Sequence, residues 1–475
     1  MGMSVTAATG APAAERERVA RPWLLMVLAC GAQFLVVLDA TIISVALPPI
    51  ARDLGFTAAS IGWVVTAYTL AFAGFLLLGG RLADLFGTRA MYLTGLGLFT
   101  AASIGCGAAG GSGWLVAARA AQGLGGALLM PTTLTIVHQA YAEPRRRARA
   151  LGLWSMVGAV GAAAGTLCGG VLTDTLGWRW VFLVNVPIGA VVLALAALTL
   201  TRRPRTEAGR RPLDVTGALL VTSGLVALVY GVVCFGGDGG AARGGWFLGA
   251  AAVLLALFLV SQAKWARSPL VPLRIFAHRS VSSANAVMFG LGLGYLASPV
   301  LISLYLQNVQ HFSPLRAGLG FLPAAFAVMI GAQFAGRLTP RWGARRTAVI
   351  GLVLVAAGFL LLSRLGPHTP FFPSVVLPVA LFGLGAGLAF TPITVAATGG
   401  VDPAMTGLAS GLLNTVRQVA TALGIAGFSA VANTRTGGHG YGLAFLLAGI
   451  IAALAAAAAA TLMPGRTPRT APDTG

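Results

Sequence analysis

Fourteen apolar stretches, each about long enough to cross a bilayer, constrain this 475-residue chain more than any other feature. They fall near residues 23–48, 60–80, 90–110, 114–137, 150–172, 180–200, 214–235, 245–263, 283–308, 316–338, 347–365, 372–396, 406–430 and 441–463. A helix needs about 20 apolar residues to span a hydrocarbon core of roughly 30 Å. In that core each backbone polar group must be satisfied within the protein, which favours helices for runs of this length. The sequence therefore predicts an all-α polytopic membrane protein with 14 transmembrane helices. Composition agrees: 57% of residues are hydrophobic and 9% charged, where soluble domains carry about 25% charged residues.

The net charge of +20 does not imply a nucleic-acid partner, because the basic residues sit in short connections between apolar runs. With the N-terminus in the cytoplasm, 24 of the 32 Arg and Lys residues fall on the cytoplasmic side and 6 on the other. That is the positive-inside bias of a multi-pass protein, and it predicts cytoplasmic termini. Arg119 and Arg417 remain, both inside runs. Cys30, Cys106, Cys168 and Cys234 lie within runs at no disulfide or metal spacing, and the five histidines form no metal or nucleophile–base pattern. No phosphate-cradling Gly-Lys-Ser/Thr loop is present. The reading is a transporter driven by a gradient, with no enzymatic activity, no cofactor and no metal.

An internal repeat divides the chain. Gly80 to Arg89 (GRLADLFGTR) follows the second run, and Gly336 to Arg345 (GRLTPRWGAR) follows the tenth, 256 residues later. Gly123-Leu124-Gly125 in the fourth run is echoed by Gly383-Leu384-Gly385 in the twelfth. The expected organisation is a cytoplasmic tail over 1–22 and a six-helix bundle over 23–200. Two inserted helices with cytoplasmic linkers occupy 201–280, a second six-helix bundle 281–463, and a cytoplasmic tail 464–475. Parallel six-helix repeats around a midplane site are a transporter architecture.

Several motifs lie in order along this frame. Gly80, Asp84, Gly87 and Arg89 fit Gly-x-x-x-Asp-(Arg/Lys)-x-Gly-x-(Arg/Lys), with Leu85 at a usually basic position and Pro340 replacing the acid in the second copy. Leu38-Asp39-Ala40-Thr41 fits Leu-Asp-x-Thr; Arg119, Gln122 and Gly123 fit Arg-x-x-Gln-Gly. Gly161, Gly165, Gly169 and Gly170 fit Gly-x-x-x-Gly-Pro-x-x-Gly-Gly, with Thr166 in place of its proline. Gly177-Trp178-Arg179-Trp180, Asn185-Val186-Pro187, Ser410-Gly411 and Arg417-Gln418 complete the set. The chain resembles the major facilitator superfamily, specifically its fourteen-helix drug:proton antiporter branch. The resemblance implies alternating access in a bacterial plasma membrane.

Of twelve acidic residues, Asp39 is the one well inside a run. A buried carboxylate costs at least about 2.5 kcal/mol and marks an ion, proton or substrate path by default. Counted from the run ends at 1.5 Å per residue, Asp39 and Arg119 lie roughly 13 and 8 Å deep, close enough in depth to pair. Asp39 is the candidate exchangeable proton site, against the alternative of a permanent structural ion pair. Arg119 is either its static counter-ion or, as the resemblance implies, a participant in proton transfer with Gln122 as relay. Asp214 is the reserve candidate, although a helix cap suits its position.

Gly161, Gly165 and Gly169 share one helix face, where small residues let two helices approach closely. The resemblance implies that this face, with Gly170, seals the interface between the halves. Asp84 with Arg89 is read as a cytoplasmic latch, with Gly80 and Gly87 shaping its loop; solvated loop charges are the alternative. In the second half Met288, Tyr295, Tyr305, Asn308, Gln333, Phe390, Asn414 and Arg417 are the candidate substrate cavity. Ordinary bundle packing is the alternative for the aromatics, and a structural role for Arg417. With no embedded acid there, a lipophilic neutral, anionic or singly charged compound fits better than a divalent cation.

The function expected is proton-coupled antiport exporting small amphipathic drugs or antibiotics, by a protein acting as a monomer. Symport or uniport of a small metabolite is the alternative within transport. A non-transporting membrane sensor or scaffold is the alternative outside it.

Overall fold

The computed structural model describes residues 22–57, 60–141, 143–200, 214–235, 240–266, 269–366, 369–399, 401, 405–432 and 439–464. Most of both expected tails and the 201–213 part of the central linker lie outside the described residues. The helices in the first part are α1 (Pro22–Leu54), α2 (Trp63–Phe86), α3 (Thr88–Gly107), α4 (Ser112–Ala140), α5 (Pro144–Thr175), α6 (Trp180–Leu183) and α7 (Asn185–Thr199). The central pair is α8 (Val215–Phe235) and α9 (Gly240–Val260). The second part holds α10 (Arg279–Leu291), α11 (Ser298–Asn308), α12 (Pro314–Gly320), α13 (Leu322–Trp342), α14 (Ala344–Leu362), α15 (Val376–Thr398), α16 (Thr406–Ala432) and α17 (His439–Leu462).

Among the described residues, 13 helical segments are long and apolar enough to cross a membrane, and Trp63–Leu76 adds a shorter apolar one. This is the predicted fourteen-span all-helical fold. Three spans are interrupted near a proline: α6 gives way to α7 before Pro187, and α12 to α13 before Pro323. α10 passes through a π-helical turn, Gly292–Leu296, into α11 just before Pro299. Proline lacks the amide that would bond the carbonyl four residues earlier. At Pro299 that carbonyl, of Tyr295, instead accepts from the Ser298 hydroxyl at 2.6 Å.

α1 departs from the sequence expectation. It does not stop near Pro48 but runs through Pro48 and Pro49 to Leu54. Pro49 leaves the Val45 carbonyl without its helical donor, and Gln307 Nε2 of α11 supplies one at 2.9 Å. At Pro49 the other half of the molecule thus supplies the donor that the helix lacks.

The sequence repeat recurs as repeated packing. A Cβ on Gly125 would lie 2.6 Å from Phe99 N, and one on Gly385 would lie 2.7 Å from Val355 N. Gly95 and Gly351 stand equally close, 2.8 Å, to Leu129 N and Ala389 N. Gly123 abuts the carbonyl of Tyr68 and Gly383 that of Ala324. The turns after α2 and α13 are built alike, on Gly87 (φ +89°) and Gly343 (φ +84°), a backbone region costly for residues with a Cβ.

The halves meet most closely towards the Leu54 end of α1, where Ile43, Leu47 and Ile50 share one apolar cluster with Leu301, Leu304 and Phe321. There α5 touches α12: Cβ atoms on Gly170 and Gly318 would stand 2.9 Å from the Pro314 and 2.8 Å from the Thr166 carbonyl oxygens. On another side α8 wedges against α2 and α16 together, through Leu70, Leu225, Val229, Ala422 and Ala426. The inserted pair is therefore anchored to both halves.

Candidate functional site: a buried Asp–Arg network

Asp39 and Arg119 are both 0% exposed and form an ion pair, Nη1 to Oδ2, at 2.7 Å. The pairing anticipated from depth is present. Arg119 Nη1 also donates to Gln122 Oε1 at 2.7 Å, and Nε to the Val64 carbonyl of α2 at 2.9 Å. Gln122 Nε2 donates to Asp39 Oδ1 (2.8 Å) and to Ser103 Oγ of α3 (2.7 Å). Asn185 Nδ2, the first residue of α7, donates to the same Oδ1 at 2.8 Å.

The local sequence explains why these groups converge. Gly123 lets α4 press its backbone against Tyr68 of α2, which brings the Arg119 guanidinium over the Tyr68 ring at 4.4 Å. Arg119 and Gln122 are three residues apart on α4 and so share a face. Phe182 of α6 covers the other flank, 5.7 Å from the guanidinium. The break at α6/α7 turns Asn185 inward, where it is fully buried. Five helices thus contribute polar groups to one carboxylate–guanidinium pair.

Chemically, the pair stores two charges that survive burial only together, since removing one partner of such a pair typically costs about 3–5 kcal/mol. Adding a proton to Asp39 would cancel the charge that Arg119 opposes. Among the described residues no cluster of His, Cys, Asp and Glu has the makings of a metal site.

The Major Facilitator Superfamily family model matches residues 29–425. This chain belongs to that superfamily. The facilitator is 42% identical to the cephamycin export protein CmcT of Amycolatopsis lactamdurans, over 87% of this chain and 85% of that one. It is 39% identical to the puromycin resistance protein pur8 of Streptomyces alboniger, over 88% and 83% of the two chains. The crystal structure of a D-xylose-proton symporter superposes with a TM-score of 0.67 at 14% identity, covering 94% of this chain and 98% of that one; this likeness is one of fold alone. The protein is accordingly a multi-pass transporter related to antibiotic export and resistance proteins, and not an enzyme.

Other anticipated residues of this facilitator are distributed differently. The glycine face of α5 does not seal the halves: Cβ atoms on Gly161 and Gly169 would lie 3.2 and 2.5 Å from the Phe34 and Ile42 carbonyl oxygens of α1, and one on Gly165 2.8 Å from that of Leu38. Those three glycines seat α5 on α1 inside one half. Gly170 alone of the four meets the other half, at α12. Arg89 Nη2 donates to the Ala197 carbonyl of α7 at 3.1 Å; the Asp84 side chain lies outside the described residues. Gly80 stands in ordinary contact with Pro131, 3.8 Å from a Cβ placed on it. Asp214 Oδ1 accepts from Gly217 N at 2.7 Å and Oδ2 from Gln262, so it caps α8 rather than carrying an embedded charge.

In the second half, Met288 and Tyr305 are buried. Tyr305 donates to the Gly366 carbonyl at 2.8 Å and accepts from Gln310, which makes it a packing residue. Asn308 and Gln333 are exposed, and Tyr295 and Phe390 are half-buried and in ring contact at 6.2 Å. Arg417 donates Nη2 to Asn414 Oδ1. Sequence reasoning quoted Asn185 in a motif without giving it a role and passed over Ser103 and Tyr68. A buried amide beside a helix break was the available signal for Asn185.

Proposed function

We propose that this facilitator is a proton-coupled antiporter that exports small amphipathic compounds, antibiotics among them, from the bacterial cytoplasm. The observation that carries the reading is the Asp39–Arg119 pair, braced by Gln122 and Asn185 in a dry half-bundle. A protein that only scaffolds has no need of an ion pair at this cost. Its relatives' names, cephamycin export and puromycin resistance, support export over uptake.

In the proposed cycle Asp39 takes a proton when the site opens outward, Arg119 loses its counter-charge, and the helices around α1 rearrange. Release of that proton inward restores the pair. With the positive-inside orientation, the tight joint at the Leu54 end is the outer gate, and both termini are cytoplasmic. Gly80 and Asp84 at the end of α2, Gly87 between the helices and Arg89 at the start of α3 form the inner junction that shifts during alternation. The glycine face of α5 keeps α1 seated as it moves.

The test uses everted membrane vesicles carrying an acid-inside gradient. Cephamycin, puromycin and lipophilic dyes are added, and proton release is recorded for the intact protein and for Asp39→Asn. Substrate-triggered collapse of the gradient that vanishes in Asp39→Asn, with substrate binding retained, is the expected outcome. Collapse that persists in the variant removes Asp39 from the proton path. Proton uptake in the opposite direction assigns symport instead.

A further inference from the structure

Among the described residues the second half carries an embedded cation with no countercharge. Arg417 lies on α16, and its sole side-chain hydrogen bond among the described residues is the one Nη2 makes to Asn414 Oδ1. Its Nε is buried and has no partner among the described residues. The ion pairs of the described residues are Arg119–Asp39, Arg146–Glu143 and Arg179–Asp53, none in this half. From residue 239 onward the sequence offers only Asp402 and Asp473 as acids, and neither is in a transmembrane run. Arg119 is neutralised by Asp39, so Arg417 leaves the membrane-embedded part with an uncompensated positive charge. Arg417 is half-buried as a whole, and a guanidinium with a buried, unused Nε donor is a costly arrangement for a purely structural residue.

The neighbouring elements of the second half differ from their first-half counterparts. The π-helical turn Gly292–Leu296 packs on α16 at this level: a Cβ on Gly292 would lie 3.0 Å from the Arg417 carbonyl oxygen. Such turns are frequent at functional sites. The turn carries Tyr295, which stands 256 residues after Asp39, the offset of the loop repeat. Ser103 and Gln122, which serve Asp39 in the first half, have Phe359 and Phe382 as counterparts at the offsets seen in the glycine packing. In place of the polar network there is an aromatic one: Phe359 stacks on Phe382 at 5.0 Å, and Tyr295 meets Phe382 at 5.5 Å and Phe390 at 6.2 Å. Tyr295 is half-buried, and its hydroxyl makes no hydrogen bond among the described residues.

We infer that Arg417 is the anion-recognising residue of the substrate site, and that the preferred substrates join one carboxylate or comparable acidic group to an apolar, ring-bearing body. The guanidinium meets the acidic group, Asn414 orients it, and the wall of Tyr295 and Phe390 takes the apolar body. The first half then handles the proton and the second the substrate. A cationic compound is disfavoured by the same charge. The inference deepens the export reading and rests on it only for direction of transport, since binding alone tests it.

The experiment measures equilibrium binding of three matched fluorophores, 1-pyrenebutyrate, 1-pyrenebutanol and 1-pyrenebutylamine, to the full-length protein in lipid nanodiscs. The acid is expected to bind tightest and the amine weakest. Arg417→Gln should weaken the acid about tenfold or more, the size of a lost charge-assisted hydrogen bond, while leaving the alcohol unchanged. That unchanged alcohol also reports an intact fold. Arg417→Lys, which keeps the charge, should retain the preference for acid over alcohol. Equal binding of acid and alcohol by the intact protein, no saturable binding of the acid, or an equal loss for all three in Arg417→Gln overturns the inference. Failure of the vesicle experiment with success here would overturn antiport while leaving acid recognition in place.

Discussion

At the scale of single residues, the Asp39 carboxylate is held by three side chains, Arg119, Gln122 and Asn185. Arg119→Ala would leave Asp39 charged and unpaired, and its cost should be about 3–5 kcal/mol, read as a lowered unfolding temperature in detergent. Combining Asp39→Asn with Arg119→Gln removes both charges. That double variant should fold better than Arg119→Ala yet remain uncoupled from protons; stability no better than the single variant would argue against the pair being the cause. Asn185→Ala deletes one of two donors to Asp39 Oδ1. Hydrogen bonds to charged groups contribute about 1.5–3 kcal/mol, and thermal unfolding of that variant should show a loss within this range. Asn185→Asp, which sets a second carboxylate against the first, should be worse than Asn185→Ala.

Helix by helix, small residues and prolines decide which backbones touch. Gly169→Ala would push a methyl against the Ile42 carbonyl at 2.5 Å, where no side-chain rotation relieves it, whereas a Cβ on Gly152 of the same helix meets nothing within 4 Å. Overpacking of this kind costs about 1–3 kcal/mol. Gly169→Ala should therefore lose stability and transport, with Gly152→Ala near the intact protein in both. The Gln307–Val45 bond is an element-scale device of another sort, a donor in one half completing a helix in the other. Gln307→Leu keeps the volume and removes the donor. It should loosen the closed end, seen as faster labelling of a cysteine introduced at Val45 by a membrane-impermeant thiol reagent on intact cells; unchanged labelling would show the bond to be incidental.

For the whole molecule, orientation and closure are the quantities at stake. A reporter enzyme active only outside the cytoplasm should be silent when fused after Leu200 or Pro464 and active when fused after Leu176. The opposite pattern would invert the assignment of inner and outer gates. The wedge of α8 between α2 and α16 packs the inserted pair against both halves.

The sequence alone determined the class of protein, because length and hydrophobicity of a transmembrane run are local properties that the bilayer reads directly. It also singled out Asp39 and Arg119, which the structure pairs, since a charge within such a run is legible one residue at a time. Their partners were less so. Asn185 and Ser103 reach the pair across 146 and 19 residues of chain, from Asp39 and Gln122 respectively, and only the packing of α7 and α3 against α1 and α4 decides that they do. The glycine spacing on α5 announced a close contact but not with which helix, because a small face is complementary to any backbone; the tertiary structure gave it to α1. The extension of α1 beyond Pro49 was hidden for the same reason. Local rules end a helix where an amide is missing, and the donor that overrides them comes from the opposite half of the fold.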